Sequence, residues 1–230
     1  MRLAIIIAVL DEAEQIESCL AALAPLRERG ASVIVVDGGS RDATVRLAAP
    51  LCDRVVAAPR GRAHQMNAGA RCDEARGADV LLFLHADVRL PRDADRLIFR
   101  ALSNRRSGWG RFDVTLQGRS AGLPLVATMM NLRSRATGIC TGDQAIFVEQ
   151  GVFLALDGFA PIDLMEDIEF SRRARRLSAP VALAPPVIVS ARRWDQAGLA
   201  RTILRMWWLR LAYFLGADPS DLARRYRDAR

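Results

Sequence analysis

The chain contains no lysine; all 33 basic side chains are arginine. A P-loop sets a lysine on its phosphates and a Schiff-base enzyme uses a lysine amine, so composition excludes both. Histidine is almost as scarce, with only His64 and His85. Four cysteines, Cys19, Cys52, Cys72 and Cys140, lie far apart with no CxxC pair. That usage suits reduced thiols in the cytoplasm and argues against a disulfide frame or a zinc site. No apolar run reaches the roughly 18 to 20 residues that span a bilayer. The longest late run, "MWWLRLAYFLG" from Met206, is broken by Arg210. At the N-terminus "LAIIIAVL" runs straight into "DEAE" without a small-residue cleavage pattern, so a first strand is expected there in place of a secretory signal. Linkers, internal repeats and low-complexity segments are missing too. With 230 residues and 51% hydrophobic content, one compact unit is expected.

What is present is charge, unevenly spread. The formal net charge is +7, and the stretch from Arg192 to the end holds nine arginines against four aspartates. A basic tail favours an anionic partner such as phosphate, nucleic acid or a lipid surface. Nucleic acid is not expected, because no aromatic-studded sheet or known module accompanies the charge.

The first half alternates short β-branched runs with helical patterns, as a mostly parallel sheet flanked by helices requires. Strands are expected at 3–10, 32–37, 54–58 and 79–84. Ile16, Leu20, Leu23 and Leu26 recur at helical spacing between the first two, with Asp11 and Glu14 placed as an N-terminal cap and Gly30 as a stop. Beyond about residue 110, "RFDVTLQ" and "QAIFV" read as strands and 122–137 and 166–178 as helices, all packed on the same sheet. In such folds ligand chemistry collects at the carboxyl ends of the strands.

Four loops there carry chemistry-bearing side chains. Asp37 ends the second strand before "GGS": either a tight turn capped by Ser40, or an Asp offered to a ribose or base. "PRGRAHQMNAGA" sets Arg60 and Arg62 around Gly61 before a helix carrying His64 and Asn67, which is either a solvated helix start or a diphosphate clamp. In "HAD", His85 and Asp87 are two apart, and on a strand they would point the same way toward one cation or hydroxyl; the plain alternative is a core histidine beside a helix cap. "LMEDIEFSRR" begins a helix with Glu166, Asp167 and Glu169, favoured there by the helix dipole, and one carboxylate is left over to act as a general base. "GRSAG" at 118–122 matches the nucleophile-elbow pattern, but the triad order needs a histidine after Ser120 and both histidines precede it.

Taken in order, "VLDEAEQI", "VVDGGSRDAT", "GRAHQMNAGA", "LFLHADVRLP", "TGDQAIFV" and "LMEDIEFSRR" resemble family 2 glycosyltransferases, and "GWGRFDV" with "SARRW" resembles a compact bacterial subgroup. The resemblance covers about residues 3 to 195. It implies a GT-A-like fold, with a nucleotide-binding half over about 1–110, an acceptor half over about 111–195, and a basic aromatic helical extension over 196–230. It further implies an inverting transfer of a sugar from a nucleotide-diphospho-sugar to a hydroxyl acceptor. Glu12, Asp37, Arg60, Arg62, Asn67, Ala86 and Asp87 would contact the nucleotide-sugar. Asp87 with His85 would hold a divalent metal, Mn²⁺ or Mg²⁺, in a HAD variant of the DxD motif. Asp167 would be the catalytic base, paired with Glu166. Gly142, Asp143, Gln144, Arg193 and Trp194 would border the acceptor, the last two in "SARRW", a shortened relative of QxxRW. Three positions depart from the family pattern: His85 replaces the first Asp of DxD, Gly38 replaces the second Asp of "DDGS", and Ala8 stands where proline is common.

In the extension, Trp207, Trp208, Tyr213 and Phe214 lie among Arg201, Arg205 and Arg210. Aromatics with arginines suit an interfacial helix on an anionic membrane, hence a lipid-linked acceptor at the inner face of the cell membrane; docking on the protein itself or a homodimer partner fits equally. A non-catalytic nucleotide-sugar-binding or assembly protein is the alternative function, prompted by His85.

Overall fold

The structure, a computed structural model, describes residues 1–103 and 107–228, apart from the side chains at 193, 196, 197, 227 and 228. The first half holds β1 (Leu3–Val9), α1 (Ala13–Glu28), β2 (Ser32–Asp37), α2 (Thr44–Ala48), β3 (Arg54–Ala57), α3 (Arg62–Arg71), α4 (Asp73–Arg76), β4 (Val80–His85), β5 (Val88–Arg89) and α5 (Ala94–Ser103). Then come β6 (Trp109–Gln117), α6 (Leu123–Thr137), β7 (Phe147–Glu149), α7 (Gln150–Ala155), α8 (Glu166–Leu177), β8 (Val181–Ser190), α9 (Arg192–Ala197), α10 (Leu199–Phe214) and α11 (Pro219–Asp228).

All eight strands join one sheet in the order β3-β2-β1-β4-β7-β6-β8-β5. Pairs β1–β2, β1–β4, β2–β3 and β6–β8 are parallel, and β7 runs antiparallel between β4 and β6. Strands β1, β2 and β4 are buried on both faces, which is why they read as near-continuous Val, Ile and Leu. One face packs Ile5, Val33, Leu82 and Leu84 against Leu20 of α1, Ile98 of α5 and Leu123 of α6. The other packs Ile6, Ile34, Val36 and Phe83 against Met66 of α3, Phe153 of α7 and Phe170 of α8. The α/β architecture, the four first-half strands and the second half's place on the same sheet follow the sequence expectation.

Two details differ from it. The helix α1 is not capped by Asp11 or Glu14; Asp42, from the loop after β2, accepts the Ala13 N–H at 3.0 Å. Ser40 Oγ accepts the Asp11 N–H, Asp11 accepts the Arg41 N–H, and Thr44 Oγ1 accepts the Glu12 N–H, so the first two loops are laced together. The strand β8 is also absent from the sequence reading, and it runs through "APP" at 184–186. Its register explains the tolerance: Leu183 lies opposite Phe112 and Val187 opposite Val114, so three residues meet one. Prolines sit without cost in such a bulge, where the ladder needs no N–H.

The C-terminal helices are not a loose tail. Leu209 of α10 and Leu222 of α11 form a third apolar cluster with Ile139, Met165 and Ile168, at the start of α8. Among the described residues no helix is long and apolar enough to cross a membrane.

Candidate functional site

Gln65, a residue the sequence reading passed over, organises the carboxyl edge of the sheet. Fully packed on α3, it donates its side-chain amide to the carbonyls of Val9 and Val36, each at 2.8 Å, capping the ends of β1 and β2. Its side chain fills the space that a Cβ on Gly38 would enter at 3.0 Å, which accounts for glycine where the family pattern has Asp. Asp37 beside it accepts the N–H groups of Gly39 and Ser40 at 3.0 and 3.1 Å, so its carboxylate also shapes the turn. Helix α3 lies close on the strands because Gly69 allows it: a Cβ there would sit 2.5 Å from Ile6 and 2.8 Å from Val36.

Helix α3 begins after Gly61, whose φ of 134° a side chain would resist. Arg60 is exposed and Arg62 half-buried. Burial opposes the Arg62 charge, but Glu166, Tyr226, Asp143 and Asp167 outweigh it and push its pKa up. Met165, in the left-handed region at φ 70°, turns the chain into α8 and presents Glu166 and Asp167 as its first residues. Glu166 is 4% exposed. Burial, and then the neighbouring Asp167 charge, push its pKa up to about 7, against the pull of Arg62 and His85. Asp167 accepts the Gly142 N–H at 2.8 Å and the Ile168 N–H at 2.7 Å. In the adjacent 3-10 turn Gly142–Gln144, Gln144 and Thr141 form a reciprocal capping box, so Gln144 serves the turn. That turn abuts the end of β4: His85 Nδ1 is 3.4 Å from Asp143 Oδ1, and a Cβ on Gly142 would lie 2.6 Å from the His85 ring. Arg62, His85, Gly142, Asp143, Glu166 and Asp167 therefore come together from four segments.

Other expected residues make different contacts. The strand ends at His85, and Asp87 falls in the turn that follows, where strand alternation no longer applies. Ala86 is buried, and Asp87 borders a hollow of about 110 Å³ with Gln15, Ser18, Arg89, Gln117 and Ser190. Asn67 commits its amide to Phe159 in both directions, at 2.8 and 2.9 Å, and so clamps that loop. Trp194 packs against the core on the α1 side of the sheet, and Asp195 beside it accepts the N–H groups of Arg119 and Ser120, which makes "GRSAG" a helix lead-in. The Arg193 side chain lies outside the described residues. Glu12, whose carbonyl begins α1, stays at the laced loops.

Two arginines enter the site unannounced. Arg133 of α6 has its pKa lowered to about 10 by burial and by Arg210, with Asp167 opposing. Arg210 of α10 is lowered by burial, opposed by Asp167 and Asp143. In the sequence Arg210 registers as an interruption of an apolar run and as one of the arginines of the aromatic extension, and α6 carries no motif at all.

For a divalent ion the donor chemistry is suitable but open. No three His, Cys, Asp or Glu side chains converge to cage a metal among the described residues. One imidazole with carboxylates on adjoining turns is the incomplete nitrogen and oxygen set on which Mn²⁺ or Mg²⁺ shares its coordination with substrate phosphates.

The fold is shared with known enzymes. The TarS 1-349 structure from S. aureus superposes with a TM-score of 0.66 at 15% identity, over 83% of this chain and 61% of that one. A Pyrobaculum calidifontis mannosyltransferase, PcManGT, solved with GDP-Man and Mn²⁺, gives 0.61 at 23% identity over 82% and 56%. Glucosyl-3-phosphoglycerate synthase from Mycobacterium tuberculosis, with Mn²⁺, UDP and glucosyl-3-phosphoglycerate, gives 0.59 at 18% over 94% and 80%. The chain thus spans about three-fifths of the length of the first two. Among curated proteins none matches it in sequence. The family model described as "Glycosyl transferase family 2" matches residues 4–120, half of the chain, from the first strand through the lead into α6, and the chain belongs to that family.

Proposed function

We propose that the protein transfers a sugar from a nucleotide-diphospho-sugar to a hydroxyl acceptor with inversion. The observation that carries this reading is the convergence of Arg62, His85, Asp143, Glu166 and Asp167 at the carboxyl edge of a sheet whose family handles such donors. On this reading Asp37 and Glu12 contact the nucleoside, and Arg60 and Arg62 offset the negative charge gathering on the leaving diphosphate. A divalent ion, when bound, would neutralise further diphosphate charge, and His85, Asp87 and Asp143 are the residues that would hold it. Asp167, fixed by the Gly142 N–H, takes the proton from the acceptor hydroxyl as that oxygen attacks the anomeric carbon. Glu166 lies close enough to Arg62 for its charge to stabilise the guanidinium against burial. On this reading residues 1–195 form the catalytic unit, with the donor half before about residue 110, and Gly142 and Asp143 bordering the acceptor.

The test is a thermal-shift screen of the full chain against UDP-, GDP- and dTDP-sugars with Mn²⁺, followed by release of nucleoside diphosphate from the donor that binds. Ligand at 100 times its Kd stabilises by about 2.7 kcal/mol, enough to raise the melting temperature measurably. Binding with slow donor turnover supports the enzyme; binding with no turnover toward water or any hydroxyl acceptor supports the non-catalytic alternative.

We further propose that α10 rests on an anionic lipid surface at the inner face of the cell membrane. Leu204, Trp207, Leu211, Phe214 and Leu215 are all more than half exposed. Arginines beside exposed aromatics, in a segment with a net positive charge, match an interfacial helix better than a homodimer face of the same charge.

A further inference from the structure

Arg133 is the least satisfied charge among the described residues. Its Nε and Nη2 are buried and donate to no partner. Two other arginines packed into the protein are held, Arg111 by Ser134 and Asp113 and Arg173 by Glu169. A buried charged donor left unpaired costs more than a neutral one, so a site that keeps it has a use for it. Arg210 reaches the same region from α10, brought there by the packing of Leu209 on Met165 and Ile168. The two guanidinium groups repel one another, and both sense Asp167. Holding like charges together beside a carboxylate prepares the place for an anion, and the guanidinium fork matches phosphate oxygens two at a time.

We propose that Arg133 and Arg210 form a subsite for a phosphate group carried by the acceptor, so that the hydroxyl attacking beside Asp167 belongs to a phosphorylated molecule and not to a neutral sugar. This rests on the reading of Asp167 as the base. The subsite is built from α6 and α10, whereas the donor's diphosphate is assigned to the loop before α3, so the two anions have separate seats. It also gives the C-terminal helices a role in substrate choice, since Arg210 comes from beyond residue 195.

The experiment titrates the full-length protein with inorganic phosphate by calorimetry at constant ionic strength, with and without saturating nucleoside diphosphate. The wild type should bind phosphate, and bound nucleotide should leave that affinity in place. Arg133→Gln and Arg210→Gln should each weaken phosphate by at least about tenfold, and Arg133→Lys should recover part of the loss, because it keeps the charge without the fork. Circular dichroism establishes that each variant folds; if Arg133→Gln does not, Arg210→Gln on the outer helix carries the comparison. Glycerol phosphate and dodecyl phosphate, competing for the site, separate a soluble acceptor from a lipid-borne one, and displacement by either supports the subsite. Equal phosphate affinity in wild type and the folded variants, displacement of phosphate by the nucleotide, or failure of both esters to compete overturns it. A wild type that binds no nucleoside diphosphate would instead count against the glycosyl-transfer reading, whatever phosphate does.

Discussion

Asp167 accepts the backbone N–H of Gly142 at 2.8 Å, tying the first turn of α8 to the turn that brings Asp143 against His85. An amide oxygen would accept the same hydrogen bond, so Asp167→Asn preserves the tie while removing the base. Nucleoside diphosphate release and sugar transfer should fall by about 10²–10⁴-fold while the variant remains folded. Wild-type turnover in a folded Asp167→Asn protein would remove Asp167 from the mechanism.

Glu166 supplies a pH dependence with a definite sign. Its folded pKa rises from 4.5 to about 7, so the native state holds the proton more tightly than the unfolded chain. Stability on this account declines as pH rises from about 4.5 to 7, and the penalty is complete above 7. Glu166→Gln cannot ionise, so its melting temperature relative to wild type should climb across that window and then level off. A difference that stays flat from pH 4.5 to 8.5 would refute the shift.

The fold was legible because β1, β2 and β4 are continuous apolar strands and α1 is amphipathic, both local patterns. The carboxylate pair was legible because Glu166 and Asp167 are adjacent in the chain. What escaped depends on distant pairing. Gln65 matters through the carbonyls of Val9 and Val36, Asn67 through Phe159, and Arg133 through a helix 77 positions later; none of these partners leaves a trace in the local sequence. The strand β8 runs through prolines whose bulge is defined only by β6. At 85–87 strand alternation stops at His85, so the placement of Asp87 is set by the turn after β4 and not by the strand period.

Two glycine substitutions should move stability in opposite directions. At Gly69 an added methyl meets Ile6 at 2.5 Å and Val36 at 2.8 Å, in the packed layer between α3 and the sheet. Gly69→Ala should destabilise by about 1–3 kcal/mol through overpacking. Gly151 in α7 has nothing within 4 Å of the added atom, so Gly151→Ala should stabilise by about 0.4–1 kcal/mol by restricting the unfolded chain. Urea denaturation of both decides, and a stabilised Gly69→Ala would contradict the close approach.

The metal assignment separates His85 from Asp87. Loss of the carboxylate in Asp87→Ala should abolish metal-stimulated turnover, and full activity in that variant would sink its role. Imidazole in place of a carboxylate lowers the negative charge around the ion and favours Mn²⁺ over Mg²⁺. His85→Asp should therefore raise activity with Mg²⁺ relative to Mn²⁺; an unchanged ratio would leave His85 a packing partner of Gly142 and Asp143.

Membrane contact through α10 can be tested without removing the helix, which matters because Leu209 and Leu222 anchor the start of α8 and a deletion of 196–230 would disturb the site. Trp207 and Leu211 are 67% and 59% exposed, so changing both to serine leaves that anchor intact. The wild type should float with vesicles rich in phosphatidylglycerol, less so with phosphatidylcholine, and binding should weaken with salt because screening acts over about 8–10 Å. Trp207→Ser with Leu211→Ser should abolish flotation while retaining nucleotide binding. If the wild type ignores both vesicles and the double variant instead shifts a dimer to a monomer on gel filtration, the exposed face of α10 belongs to a second copy of the chain.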